Sequence, residues 1–107
     1  MSPKEIVIAL FTAAFVNHDP EAARDLVTVD YIQHNPQVET GVEGLINLIP
    51  LVEQSGMSVT THRVITEDNM VVLHSTFENA DAFGAPKLAA FDVFRVEDGL
   101  VAEHWDN

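Results

Sequence analysis

Just past the middle of this 107-residue chain the spacing of apolar side chains changes. Up to Gly56 they recur at three- and four-residue intervals, as on a helix with one buried stripe. From Met57 they alternate, as on a strand with one buried face. Helices first and strands afterwards means α+β: three N-terminal helices packed on one face of an antiparallel sheet of about four strands. The strands read as Met57–Glu67 and Met70–Glu78 about an Asp68-Asn69 turn, then Lys87–Val96 and Leu100–Asp106 about Glu97-Asp98-Gly99. Asp-Gly between two apolar runs is a strong hairpin signal, because Gly accepts the positive φ of a tight turn. Asn79–Pro86, made of turn formers and small residues, is the remaining loop.

The helical half is punctuated by caps. Ser2 and Glu5 form a capping box with Pro3 at the first helical position, opening a helix to about Val16. Asp19 as N-cap and Pro20 start a short second helix, about Glu21–Val27. Asp30–Val38 has neither period and reads as a loop, with Asn35 before Pro36 either setting its turn or contacting a ligand. Thr40 and Glu43 form a second capping box, for a helix through Leu45, Ile46, Ile49 and Val52 that Gly56 ends. Pro50 inside it predicts a kink near Ile46–Pro50.

Composition removes several function classes. A net charge of -12 argues against nucleic acid and anionic membrane as partners, and leaves a small molecule. Without Cys there is no disulfide framework, thiolate metal site or redox centre. No apolar run reaches the length of a membrane span and no basic-then-apolar leader opens the chain, so a cytoplasmic protein of one domain is expected. Gly-rich phosphate loops, nucleophile-elbow serines and basic stripes interleaved with aromatics are missing as well.

One residue breaks its local pattern. In the Lys87–Val96 strand Ala90, Asp92, Phe94 and Val96 share a face, so Asp92 is an acid among apolar neighbours where burial is expected. An acid so placed is suited to proton transfer near neutrality, or else is a structural carboxylate satisfied by hydrogen bonds. His74 shares a face with Val72 and Thr76 and is expected to look into the same space as Asp92 if the two strands are adjacent. His104 and Trp105, adjacent on one strand, point to opposite faces unless a bulge intervenes; Trp105 is read as wall or core, and the direction of His104 stays open. Tyr31, His34 and Asn35 stand in the loop between the second and third helices, where they anchor the loop or meet a ligand at the pocket mouth. His62 reads as a solvated side chain and His18 as a capping one. A metal held by His34, His74, His104 and Asp92 is conceivable, but no pair has the close spacing of helix-borne zinc motifs.

These residues carry a resemblance. Tyr31 to Pro36 with Gly41-Val42-Glu43-Gly44, Arg63 to Ile65, Val71 to His74, and Asp92 to Gly99 running into Glu103 to Asp106 resemble the SnoaL-like polyketide cyclase branch of the nuclear transport factor 2-like superfamily. The resemblance covers most of the chain, names no substrate, and makes residues 1–107 a single SnoaL-like domain. It implies a curved sheet wrapped with three helices into a cone around an apolar pocket, a homodimer through the sheet, and acid/base chemistry without metal or organic cofactor. By motif position the family's acid/base Asp falls on Asp92, and His74 and His34 match its pocket histidines. The catalytic residues expected are Asp92, carrying the proton, and His74, or in its place Tyr31 or His34, donating to the developing oxyanion. Tyr31, His34, Asn35, Phe94, His104 and Trp105 are the expected substrate contacts. The expected activity is aldol-type ring closure or isomerisation of a small apolar carbonyl compound. The alternative is a non-catalytic binding or dimerisation module on the same fold. Relatives commonly continue past the counterpart of Asp106 with a tail over the pocket or seam, and Pro50 is unusual among them.

Overall fold

A computed structural model describes residues 1–35 and 38–106; Pro36, on which the turn after Asn35 was expected to rest, lies outside them. In chain order the elements are α1 (Pro3–Phe15), α2 (Pro20–Arg24), β1 (Val27–Gln33), α3 (Val42–Ser55), β2 (Ser58–Glu67), β3 (Met70–Glu78), a 3₁₀ turn (Asp81–Phe83), β4 (Lys87–Glu97) and β5 (Leu100–Trp105). The α+β expectation holds, with five strands in place of about four. Their order is β1-β5-β4-β3-β2, antiparallel except that β1 runs parallel to β5. Among the described residues no helix is long and apolar enough to cross a membrane.

Strand β1 was the element hidden in the supposed loop and in the end of the second helix, which stops at Arg24. Its pattern misleads because its apolar Val29 is 98% exposed while its polar Gln33 is 9% exposed, and its register with β5 shifts between Val27 and Ile32. An irregular edge strand therefore shows no period.

The first two caps form as read: Glu5 N donates to Ser2 Oγ, Ser2 N to Glu5 Oε1, and Ala22 N to Asp19 Oδ1. The third does not. Helix α3 has Gly41 at its N-cap, at φ 90°, with no side-chain cap. Thr40 Oγ1 instead accepts from Gln33 N, and Glu43 binds Arg24 at 2.9 Å, so both groups tie neighbouring elements together. Helix α3 runs unbroken through Pro50, whose side is exposed, and ends at Gly56 in the left-handed conformation.

The core lies between α1, α3 and the inner face of the sheet. Ile6, Val7, Leu10 and Phe11 with Leu45, Ile49 and Val52 cover Val71, Leu73, Phe77, Phe94, Val96 and Val101. Phe11 is the hub of the aromatic part, its ring 4.8 Å from Phe15, 6.0 Å from Phe77 and 6.4 Å from Phe94. Burial of apolar surface, to which each such ring adds a large area, is the dominant favourable contribution to folding. Between α1, α3 and the sheet a space is left that side chains do not fill, lined by residues of all three, and the site described next occupies it.

Candidate functional site

Register places the acid. Leu73 pairs with Asp92 across β3 and β4, and both are buried on the face under the helices. Asp92 is 5% exposed. On β5 a bulge decides which neighbour joins it: Val96 pairs with Val101 and Arg95 with Glu103, leaving Ala102 as the extra residue. Both Val101 and Ala102 are then buried and the alternation slips by one. His104 consequently faces inward opposite Phe94, stacked on its ring at 4.5 Å, while Trp105 pairs with Val93 on the outer face.

A polar cluster results. His104 Nε2 bonds Asp92 Oδ1 at 2.8 Å, while Asp92 Oδ2 is buried with no hydrogen-bond partner among the described residues. Asn35 Nδ2 donates to Asp106 Oδ2 at 3.1 Å, and Asp106 lies just past β5, two residues beyond His104. Tyr31 and Gln33 enter from β1. Tyr31 is buried, and burial first, then the charges of Asp106 and Asp92, push its hydroxyl well above the usual phenol range, so it stays protonated as a donor. Gln33 is a brace: Nε2 donates to the carbonyls of Asn35 and Val38, and Oε1 accepts from Asn35 N. The cluster borders a cavity of about 390 Å³ whose other walls are apolar, among them Leu10, Phe11, Phe15, Leu48, Met57 and Phe83. That volume suits a ligand of modest size, in the range of ordinary binding pockets.

Three expected pocket residues lie elsewhere. His74 pairs with Phe91, not with Asp92, so it points to the outer face; its ring stacks on Phe91 at 4.6 Å and Nδ1 accepts from Arg63 Nη1 at 2.7 Å. Desolvation, the Arg63 charge and then His62 hold its pKa below the ordinary histidine value. The apolar residues of β3 that do face the core are Val71, Leu73 and Phe77, in the opposite phase to His74. His34 is also outside, with Nε2 2.7 Å from Glu103 Oε2 and its ring parallel to Trp105 at 5.2 Å. Glu103 is held below the usual carboxylate range by His34 and by Arg95 Nε at 3.1 Å. Tyr31, Asn35, Asp92, Phe94 and His104 do meet at the cavity; Trp105, expected in wall or core, is the partner of His34 on the far face.

Sequence reading missed Asp106 and Gln33 as site residues. The signal for Asp106 was its distance of two from His104, usable only once the face of His104 was known. The four-residue metal set is not assembled, since His34 and His74 are on the other side of the sheet. Asp92, His104 and Asp106 do offer ligand atoms within 4.8 Å of one another. That spread exceeds the roughly 3.4 Å between adjacent ligands at bonds near 2.1 Å, and His104 Nε2 is bonded to Asp92, so the set would have to close before holding a small divalent ion.

The arrangement can take up a proton at one free carboxylate oxygen, keep the other oriented by an imidazole, and donate from a neutral phenol. Comparison with known proteins gives the family of the chain as a whole. The model of the SnoaL-like domain family matches residues 7–104. Among solved structures, TsrD from Streptomyces laurentii is 27% identical over 98% of this chain and 87% of its own, with a TM-score of 0.78. An NTF2-like protein of unknown function from Cytophaga hutchinsonii is 18% identical over 100% of this chain and 89% of its own, with a TM-score of 0.80. A protein from Sinorhizobium meliloti provisionally called a polyketide cyclase is 14% identical over 96% and 94%, with a TM-score of 0.81. No curated protein matches the chain in sequence.

Proposed function

The chain belongs to the SnoaL-like domain family, and from that premise we propose that it is an acid/base enzyme, of aldol-cyclase or isomerase type, acting on a small apolar carbonyl compound in the cavity. One observation carries the reading: Asp92, at the wall of an apolar hollow, is a nine-tenths-buried carboxylate with Oδ1 fixed by His104 and Oδ2 buried without a partner among the described residues. The polyketide cyclase label of the Sinorhizobium protein agrees with it.

In this reading Asp92 Oδ2 removes the proton α to the carbonyl, and the C–H electron pair becomes the enolate. Tyr31 donates to the enolate oxygen, a kind of contact typically worth a few kcal/mol of barrier. His104 is a positioning residue that holds Asp92 through Oδ1. The proton on Oδ2 returns to carbon in an isomerisation. In a ring closure the enolate carbon attacks a second carbonyl and the new alkoxide takes that proton. Phe11, Phe77 and Phe94 bind the carbon skeleton and exclude water. We further propose a homodimer through the outer face of the sheet, supported by the exposed Ile65 and Phe91 on it.

Deuterium uptake from D₂O into the α-carbons of a panel of β-keto esters and polycyclic ketones, followed by NMR, tests the reaction. Wild type should catalyse exchange of at least one compound, and Asp92→Asn should lower the rate by roughly 10²–10⁴, the usual contribution of a general base. Equal binding by both with exchange by neither would replace the enzyme by the binding module.

A further inference from the structure

The five basic side chains of this protein all stay out of the cavity. Arg63 and Arg95 are on the outer face of the sheet, bonded to His74 and to Glu97 and Glu103. Arg24 and Lys87 face Glu43 and Glu78 at the surface, and Lys4 is exposed at the start of α1. The cavity instead carries two carboxylates, Asp92 and Asp106.

Its imidazole and amide donors are committed, which leaves the Tyr31 hydroxyl for a ligand carbonyl. His104 Nε2 serves Asp92 Oδ1, Asn35 Nδ2 serves Asp106, and both N–H groups of Gln33 serve backbone carbonyls. Against them stands Asp92 Oδ2, a buried acceptor with no donor among the described residues. A buried acceptor in that state calls for a donor from the ligand, and a buried negative charge penalises a second one brought beside it.

We propose that the ligand of this cavity is an apolar amine bound as its ammonium, and that anions on the same skeleton are rejected. The proposal rests on the reading of the cavity as the substrate site and deepens it. The substrate class becomes an apolar carbonyl compound that also carries a basic amine, with the ammonium on Asp106 and the acidic C–H toward Asp92 Oδ2. A simple amine without a carbonyl places its N–H groups between the two carboxylates.

Calorimetric titration of the full chain at pH 7 and about 0.15 M salt, where the surface charge is largely screened, tests this with 4-phenylbutylamine, 4-phenylbutanol and 4-phenylbutyrate. The amine should bind at one site, at least about tenfold tighter than the alcohol, which is about 1.4 kcal/mol. The carboxylate should bind more weakly than either. Asp106→Asn, with folding checked by its melting curve, should bring the amine and the alcohol to within about threefold of each other, about 0.6 kcal/mol. Carboxylate binding as tight as the amine, several amines per chain insensitive to Asp106→Asn, or binding of none of the three overturns the proposal. Failure of the enzyme reading looks different: the amine is preferred, yet no amino ketone exchanges its α-protons. Conversely, exchange of an anionic β-keto acid at the rate of its neutral ester sinks the ammonium proposal and leaves the acid/base reading intact.

Discussion

Replacing Gly44 by Ala sets two effects against each other, and the structure decides the sign. Gly44 lies in the first turn of α3, and at an interior helical position Ala is better than Gly by about 1 kcal/mol, so propensity alone forecasts a gain. A Cβ there would sit 1.8 Å from the carbonyl oxygen of Glu39 and 2.6 Å from its carbon. Reaching even a 3.0 Å contact requires the two segments to part by 1.2 Å, the difference between 3.0 and 1.8. The obstacle is backbone, which no side-chain rotation relieves. The segment that must yield supplies Val38 O to Gln33 Nε2 and Thr40 Oγ1 to Gln33 N, so its movement also loosens the brace under Asn35. Overpacking of this kind costs about 1–3 kcal/mol, and a backbone clash belongs at the upper end. Subtracting the propensity gain leaves about 2 kcal/mol of destabilisation, or roughly 8–16 °C in melting temperature for a domain of this length. Urea unfolding and thermal melts followed by circular dichroism measure it. A melting temperature equal to or above that of the wild type would refute the reasoning, because propensity would then have outweighed the contact.

Tyr31 is the only tyrosine, so absorbance at the tyrosinate band reports it alone; its titration midpoint should lie clearly above that of a free phenol. The sign for stability follows: a folded-state pKa raised above the unfolded one stabilises below the unfolded value, about pH 10, and the contribution is lost as pH climbs beyond it. Tyr31→Phe should therefore flatten the fall of melting temperature above about pH 10, and should lower α-proton exchange by roughly 10²–10³ through the lost donor. His74→Ala should leave exchange within about twofold of wild type, since the ring is on the far side of the sheet from Asp92; a loss approaching that of Asp92→Asn would contradict the register. Ser2→Ala removes the Oγ that accepts from Glu5 N in the capping box on α1, leaving the backbone N–H to Glu5 Oε1, and should cost about 1 kcal/mol in denaturant unfolding.

What could be read in advance followed from regular alternation, and what could not followed from its interruption. The β4–β5 hairpin formed where Asp98-Gly99 required it, with both residues at positive φ, and the phase of β4 put Asp92 under the helices without any knowledge of the partners. The phase of β3 was equally visible, since Val71, Leu73 and Phe77 form its apolar face; His74 was expected beside Asp92 although it belongs to the other face. A charge-bearing ring attracts a functional reading, but parity across an antiparallel pair overrides it: Leu73, not His74, faces Asp92. His104 is the opposite case. Nothing local distinguishes Glu103 from His104 as the inward residue; the extra Ala102 does so by shifting the alternation, and a bulge depends on what the partner strand can accommodate. Asp106 inherits its place from that slip. The polar end of the site is therefore assembled by one irregularity in β5, and removing it offers a direct test. Deleting Ala102 removes the extra residue and leaves Val101 opposite Val96, Glu103 opposite Arg95 and His104 opposite Phe94 in strict alternation, so His104 and Asp106 keep their face. Amine binding and α-proton exchange should therefore both survive the deletion, and ellipticity in the far ultraviolet should show that the sheet persists. Loss of both in a folded deletion variant would mean that the local geometry of the bulge, and not the register it sets, places His104 and Asp106 at the cavity.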